Sequence, residues 1–230
     1  MKKYFITATG TDIGKTYLTT ALNNQLRTVY EKNTYTIKPV ISGFDKDNRD
    51  NDTSLIIDSL GIKYNDENIN KISPFRFSLP LSPDMASEKQ KVELSYQSIL
   101  EFCKKTIMKH DNKNTNTDDC MFVEGVGGVM SPICVGKTNL DLIADLDISV
   151  ILVCGSYLGS ITHSLTAIKT LEERKINISS IVICESCESE VDPDDLIKSM
   201  KAFTDHKIVF IKRSDSGNNL KNINIIEEIL

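Results

Sequence analysis

The chain has 230 residues, 40% of them hydrophobic, with 27 Lys and Arg against 32 Asp and Glu for a formal net charge of −5. That content suffices for a sizeable core, and no window approaches the ~20 consecutive apolar residues of a membrane span, so no membrane partner is expected. The acidic balance argues against a general basic surface for nucleic acid, although one local cradle is enough to hold a nucleotide.

Met1-Lys2-Lys3 runs straight into an apolar stretch, without the long apolar region and small-residue cleavage site of a secretory signal. The first element is a strand over Tyr4–Ala8. A glycine-bearing turn ending Gly14-Lys15-Thr16 follows, then a helix over Lys15–Tyr30 with Leu18, Ala21, Leu22 and Leu26 on one face. Strand, turn and helix in this order make a phosphate cradle, because backbone N–H groups at the helix start point outward and the macrodipole adds positive potential. Gly14 lets the backbone close around phosphate, Lys15 reaches the terminal phosphates, and the Thr16 hydroxyl can ligate Mg²⁺. The spacing departs from the usual one: Thr9 stands where the first glycine is expected and the small Ala8 comes one position earlier. The loop therefore reads as one residue longer.

Tyr35–Val40 is a second strand, ending in Lys38-Pro39-Val40-Ile41-Ser42-Gly43. Asp52–Leu60 reads as a short helix and Leu94–Lys109 as a longer one with Ile99, Phe102, Cys103 and Ile107 along a face. His110–Asp119 is polar and asparagine-rich, a surface loop. Cys120–Val123 is a buried strand that ends at Glu124 and Gly125-Val126-Gly127-Gly128. Ser149–Cys154 is the most apolar strand, and Ser160–Arg174 is a helix behind Gly155 and Gly159. Ile178–Cys184 is another strand, Pro193–Phe203 a helix with Pro193 suited to its first turn, and Ile208–Ile211 the last strand.

Near-continuous apolar strands separated by helices predict an α/β fold: one domain over residues 1–230, a mostly parallel sheet with helices on both faces. In such sheets ligands bind at the carboxyl ends of the strands. The Gly-Lys-Thr loop, Lys38, Glu124 and the Gly155–Gly159 loop should then share one rim. A hydroxyl (Thr16) and two carboxylates (Asp52, Glu124) suit Mg²⁺, which prefers oxygen ligands. Lys15 and Lys38 would neutralise a phosphoryl group in transfer. Taken singly, each also fits a solvated surface group or a capped turn.

Six cysteines (Cys103, Cys120, Cys134, Cys154, Cys184, Cys187) are scattered, several within apolar runs. That is expected of a reduced, cytoplasmic chain with small buried thiols. Cys184-Glu-Ser-Cys187 has C-x-x-C spacing but neither a thioredoxin-like context nor a second ligand pair.

Taken together, these residues resemble the dethiobiotin synthetase family, whose fold is that of the P-loop NTPases, and the resemblance covers almost the whole chain. It is carried by Tyr4-Phe5-Ile6-Thr7 with Gly14-Lys15-Thr16, where the family also has the longer loop, and by Lys38-Pro39-Val40-Ile41-Ser42-Gly43 and Asn51-Asp52. It continues through Ser73-Pro74-Phe75-Arg76-Phe77, Pro80-Leu81-Ser82-Pro83 with Ala86, and Val123-Glu124-Gly125-Val126-Gly127-Gly128. Ser131-Pro132 and Leu158-Gly159-Ser160-Ile161-Thr162-His163 complete the set.

The resemblance implies ATP-dependent closure of a ureido ring: 7,8-diaminononanoate, CO₂ and a nucleoside triphosphate give dethiobiotin, a nucleoside diphosphate and phosphate. It implies Lys15 and Lys38 as catalytic groups, and Thr16, Asp52 and Glu124 as the Mg²⁺ ligands. Ser42 would bind the diamine end. Asp12, Ile13, Gly14, Lys15, Thr16 and Tyr17, with Asp52, Glu124, Gly125, Val126 and Gly127, would line the nucleotide. Family members are homodimers, and the substrate carboxylate would lie at the start of a partner helix near Gly159 and Thr162, a placement that suits a helix N-terminus.

Departures are local. Ala8 replaces a glycine and is tolerable unless the position needs φ > 0. Asp12 stands where a longer glutamate is common, and Thr162 where Asn is. Cys184 occupies the nucleobase position where the family has an amide, and a thiol cannot copy a bidentate amide. Lys212-Arg213-Ser214 replaces a proline-containing base loop. Base preference is therefore expected to be modest.

Three rival readings remain. A switch ATPase of the partitioning type would carry an extra lysine near the loop start, and Thr7–Asp12 contains none. An amidating synthetase of the cobyrinate-diamide kind would need an attached glutamine-hydrolysing domain. A binding protein that lost the chemistry is disfavoured by intact Lys15, Lys38, Asp52 and Glu124.

Overall fold

Successive residues of the first strand, β1 (Lys2–Ala8), enter two different cores: Phe5 packs into one apolar cluster, and Tyr4, Ile6 and Ala8 into another. A strand alternates its side chains between faces, so burial on both sides means a covered sheet. The computed structural model describes residues 1–112, 117–187, 189, 191–213 and 225–230. After β1 come α1 (Lys15–Thr28), β2 (Thr34–Ile37), β3 (Val40–Ser42), α2 (Asp52–Ser59), α3 (Asp66–Ile72) and β4 (Phe75–Phe77). Then follow α4 (Pro83–Gln90), α5 (Tyr96–Asp111), β5 (Cys120–Glu124), β6 (Pro132–Cys134), β7 (Lys137–Thr138) and α6 (Asn139–Leu146). The chain continues with β8 (Ser149–Gly155), α7 (Ser160–Glu173), β9 (Ile178–Cys184), α8 (Pro193–Lys201), β10 (Ile208–Ile211) and α9 (Ile225–Ile229).

Six strands form the central sheet in the order β10-β9-β8-β1-β5-β2, every pairing parallel. On one face Phe5, Met121, Val123 and Leu152 meet α5, α6, α7 and α8 through Ile99, Ile143, Ile168 and Leu196. On the other, Ile6, Phe122, Ile151 and Val182 meet α1 and α9 through Leu18, Leu22, Ile225 and Ile229. A smaller cluster of Ile56, Ile57, Ile69 and Ile72 joins α2 to α3.

The strand expected over Tyr35–Val40 is in fact two. β2 ends at Ile37, and after Pro39 the chain leaves the central sheet to pair as β3 with β4. Proline has no N–H to continue a ladder, and the Lys38 N–H turns instead to the Ile72 carbonyl at 3.0 Å. The first helix ends at Thr28, short of Tyr30, and the expected loop at His110 begins later because α5 continues through Asp111. His110 stacks on Tyr35 with ring centroids 4.0 Å apart. Asp119, also placed in that loop, is buried and accepts from the Asn33 backbone and side chain. Part of the expected loop, residues 113–116, lies outside the described residues. Ala8 sits in β1 without a positive φ, so its missing glycine costs nothing there.

Sequence periodicity missed α3, α4 and α6, each seven or eight residues long. Their ends do carry signals. Asn65 caps α3 by accepting from the Asn68 N–H, Pro83 opens α4, and Asp141 reaches back to the Thr138 N–H at the start of α6.

Candidate functional site

A cleft of about 780 Å³ opens at the carboxyl ends of β1, β2 and β5. Its floor is the phosphate loop. Asp12 (φ 56) and Gly14 (φ 105) adopt left-handed backbone, and Gly14 caps α1. A Cβ on Gly14 would stand 2.9 Å from Cys184 Sγ, so only glycine fits the loop over the end of β9. Lys15 opens α1 and Thr16 follows it, which aims both at the cleft. Gly127 (φ 64) and Val126 close the side beyond β5. Gly125 packs where a Cβ would meet the Phe5 ring at 2.8 Å.

The charged groups converge as the sequence predicts. Lys38, at the end of β2, donates to Glu124 Oε1 at 2.7 Å and pairs with Asp52 Oδ2 at 2.6 Å. Thr16 Oγ1 donates to that same Glu124 oxygen at 2.7 Å. Asp52 is presented by the first turn of α2, whose start is fixed by Asn51 Oδ1 accepting from the Ser54 N–H. Lys38 and Glu124 are buried, and Asp52 is partly exposed at the rim. Burial works to lower the pKa of the Lys38 ammonium, but Glu124 and Asp52 more than reverse it, holding it above the usual lysine value. Burial also tends to raise the Asp52 carboxyl, yet Lys38 prevails and keeps it below the ordinary range. Lys15 behaves differently. Burial first, then the charge of Lys38, lowers it to about 8. Its Nζ donates to the Gly10 carbonyl of its own loop at 2.9 Å.

Thr16, Asp52 and Glu124 fit a hard divalent cation. All offer oxygen, two carry charge, and Glu124 Oε2 is buried without a hydrogen-bond partner. Ser42, at the end of β3, lines the cleft, and its hydroxyl also lacks a partner. The opposite wall is Pro80-Leu81-Ser82-Pro83, to which no role was assigned from the sequence. Thr11 and Ser131 line the cleft as well and were likewise missed. A Pro-x-Ser-Pro turn ahead of a helix was the available signal for that wall.

Other expected positions lie apart. Ile13 is half-buried against the second core rather than facing the cleft. Cys184 ends β9 beneath Gly14, and burial pushes its thiol up to about 12, so it is an inert packing group. Cys187 is exposed, and no group of three or more His, Cys, Asp or Glu among the described residues is placed to hold a metal. Beyond the strand ends, Arg213 N–H donates to Glu185 Oε2 at 2.8 Å. Ser214 of the expected base loop lies outside the described residues. Gly159 (φ 91) caps α7, and it and Thr162 are exposed, outside the cleft. No helix among the described residues is long and apolar enough to cross a membrane.

Comparison with known proteins agrees with this geometry. Residues 2–213 match the family described as an AAA domain. The ATP-dependent dethiobiotin synthetase BioD of Phenylobacterium zucineum is 37% identical over 195 residues, 84% of this chain and 80% of that protein. The enzyme of the same name from Caulobacter vibrioides is 35% identical over 219 residues, 95% of this chain and 94% of its own. Among solved structures, the MinD cell division protein of Aquifex aeolicus superposes with a TM-score of 0.54 at 15% identity, covering 96% of this chain and 86% of its own. A ParA family ATPase from Chlorobium tepidum gives 0.54 at 11% identity, covering 99% and 90%. At those identities the structural likeness establishes the fold alone. The sequence relatives go further: the chain belongs to the ATP-dependent dethiobiotin synthetase family.

Proposed function

We propose that this chain makes dethiobiotin from 7,8-diaminononanoate, CO₂ and ATP, the penultimate step of biotin biosynthesis, and works as one domain over residues 1–230. The observation that carries this reading is the meeting of Lys15, Thr16, Lys38, Asp52 and Glu124 at one end of the cleft, with Ser42 along its wall. One substrate amine adds to CO₂ as a carbamate. The γ-phosphoryl group passes to the carbamate oxygen, releasing the diphosphate. The second amine then attacks the carbamoyl carbon, closing the ring as phosphate leaves.

No covalent chemistry is asked of the side chains, so the protein contributes orientation and charge stabilisation. Backbone N–H groups of the loop and Lys15 hold the β- and γ-phosphates. Lys38 stabilises the carbamate and the transferring oxygens, and Ser42 orients the diamine. Glu124 to Gly127 borders the triphosphate. Mg²⁺ would be held by Thr16, Asp52 and Glu124, and when bound it supplies charge neutralisation on the phosphates. A homodimer would set the exposed start of α7 on one protomer against the cleft of the other, where the helix N-terminus receives the substrate carboxylate. We place the reaction in the cytoplasm, with no nucleic-acid partner.

The test is phosphate release from ATP with Mg²⁺ and bicarbonate, with and without the diamine. Release that requires the diamine, with dethiobiotin formed in equal amount, supports the reading. Diamine-independent release would point to a switch ATPase instead.

A further inference from the structure

The three expected metal ligands are engaged with one another and with an ammonium. Lys38 Nζ sits 2.6 Å from Asp52 Oδ2 and 2.7 Å from Glu124 Oε1, and Thr16 donates its proton to that Glu124 oxygen. Glu124 is fully buried, and a buried carboxylate needs a counter-charge at all times. Lys38 supplies that charge, and a divalent ion on the same oxygens would make it both redundant and repelled. Lysine suits such an exchange, being a compact charge on a flexible four-carbon stem.

We propose that Lys38 is a tethered counter-ion that excludes free divalent metal from Thr16, Asp52 and Glu124, and that metal enters only with the triphosphate, which draws the ammonium away. This rests on the reading of those residues as the metal site. It assigns Lys38 two successive positions: on the carboxylates in the free protein, and on the phosphoryl and carbamate oxygens once the metal complex has arrived. The exchange keeps Glu124 paired throughout, and it holds the lysine back from the chemistry until the nucleotide is seated. It also sets an order, because metal arrives with the nucleotide and cannot precede it.

The probe is Mn²⁺, followed by loss of the free-ion EPR signal in the absence of nucleotide. Lys38→Gln is expected to bind Mn²⁺ at least about tenfold tighter than wild type. Lys38→Arg, which keeps the charge, should bind as weakly as wild type. A Lys38→Gln protein no tighter than wild type, or a Lys38→Arg protein as tight as Lys38→Gln, overturns the proposal. Should Lys38→Gln fail to fold, ¹⁵N-lysine-labelled wild type gives the answer. Its Lys38 ammonium resonance should be unmoved by Mg²⁺ alone and shifted by Mg²⁺ with a non-hydrolysable ATP analogue; a shift with Mg²⁺ alone also overturns it. Glu124→Gln separates the two readings. If it leaves Mn²⁺ binding in the presence of the analogue unchanged, the metal-site reading falls and the proposal with it. If it abolishes that binding while Lys38→Gln changes nothing, only the proposal falls.

Discussion

Lys38 and Glu124, 86 positions apart in the chain, meet side chain to side chain at 2.7 Å, with exposures of only 3% and 0%. Neither charge could be held there without an opposite charge beside it, because Coulomb attraction must offset the loss of hydration on both. The pair is therefore both a structural tie between β2 and β5 and the centre of the site.

The two lysines should respond oppositely in stability and alike in activity. Lys38→Gln and Lys15→Gln are each expected to lower turnover by roughly 10²–10³-fold, as for loss of a charge-stabilising donor, while keeping the native circular dichroism spectrum. Near-wild-type rates for either would refute its role. In chemical denaturation Lys38→Gln should be the less stable protein, since it strands Glu124; breaking such buried pairs costs about 3–5 kcal/mol. Lys15→Gln should be at least as stable as wild type, because burial depresses its ammonium.

The sign for Lys15 follows from linkage. Its folded pKa of about 8 lies below the ordinary lysine value of 10.5, so the charged form is a cost to folding. That cost is complete below pH 8 and is relieved as the pH rises from 8 toward 10.5. The stability advantage of Lys15→Gln should therefore shrink over that window, measured by urea midpoints at several pH values. A constant or growing advantage would contradict the assignment.

Gly14 is the position where the loop cannot accept a side chain. With φ at 105° and Cys184 Sγ 2.9 Å from a Cβ, Gly14→Ala is expected to lose roughly 1–3 kcal/mol of stability and to weaken triphosphate binding. Adding Cys184→Ala should recover only part of the loss, because the Cβ at position 184 stays 3.0 Å from the new one and the backbone strain remains. Full recovery in the double variant would show that strain is unimportant.

Discrimination among bases should be modest. Cys184, at the position expected to read the nucleobase, is buried beneath Gly14 and offers only a weak donor. The kcat/KM for ATP should exceed those for GTP and CTP by less than about a hundredfold, which is about 2.7 kcal/mol of base-specific contact. A larger preference would reveal a reader elsewhere.

Asn23 joins α1 to two neighbours from full burial. It donates to Ser59 Oγ at 3.0 Å and accepts from the Thr34 and Thr36 hydroxyls at 2.8 Å each. Asn23→Leu strands those hydroxyls and is expected to cost roughly 2–3 kcal/mol in urea unfolding, with little change in turnover of the folded protein. An unchanged midpoint would mean that the Thr34 and Thr36 hydroxyls find water or each other, since Ser59 Oγ keeps its bond to the Ile56 carbonyl.

Some features were determined by the sequence alone, because they depend on local chemistry. The strand–loop–helix at Gly14-Lys15-Thr16, the apolar runs of β5, β8 and β9, and the parallel sheet covered on both faces follow from periodicity and from a glycine where φ must be positive. The sharing of one rim by Lys15, Lys38 and Glu124 followed too, since parallel strands all end on the same side. Short elements were illegible: α3, α4 and α6 span too few turns for a period to show, and only their caps betray them. The break after Ile37 was hidden because a proline ends one ladder without naming the next. What only tertiary structure decided is where charge and bulk finally rest. Lys38 lies on both carboxylates, Cys184 lies beneath Gly14, and Pro80–Pro83 forms the far wall of the cleft. These depend on distances between segments tens of residues apart, which chain closure and packing set together and no local pattern encodes.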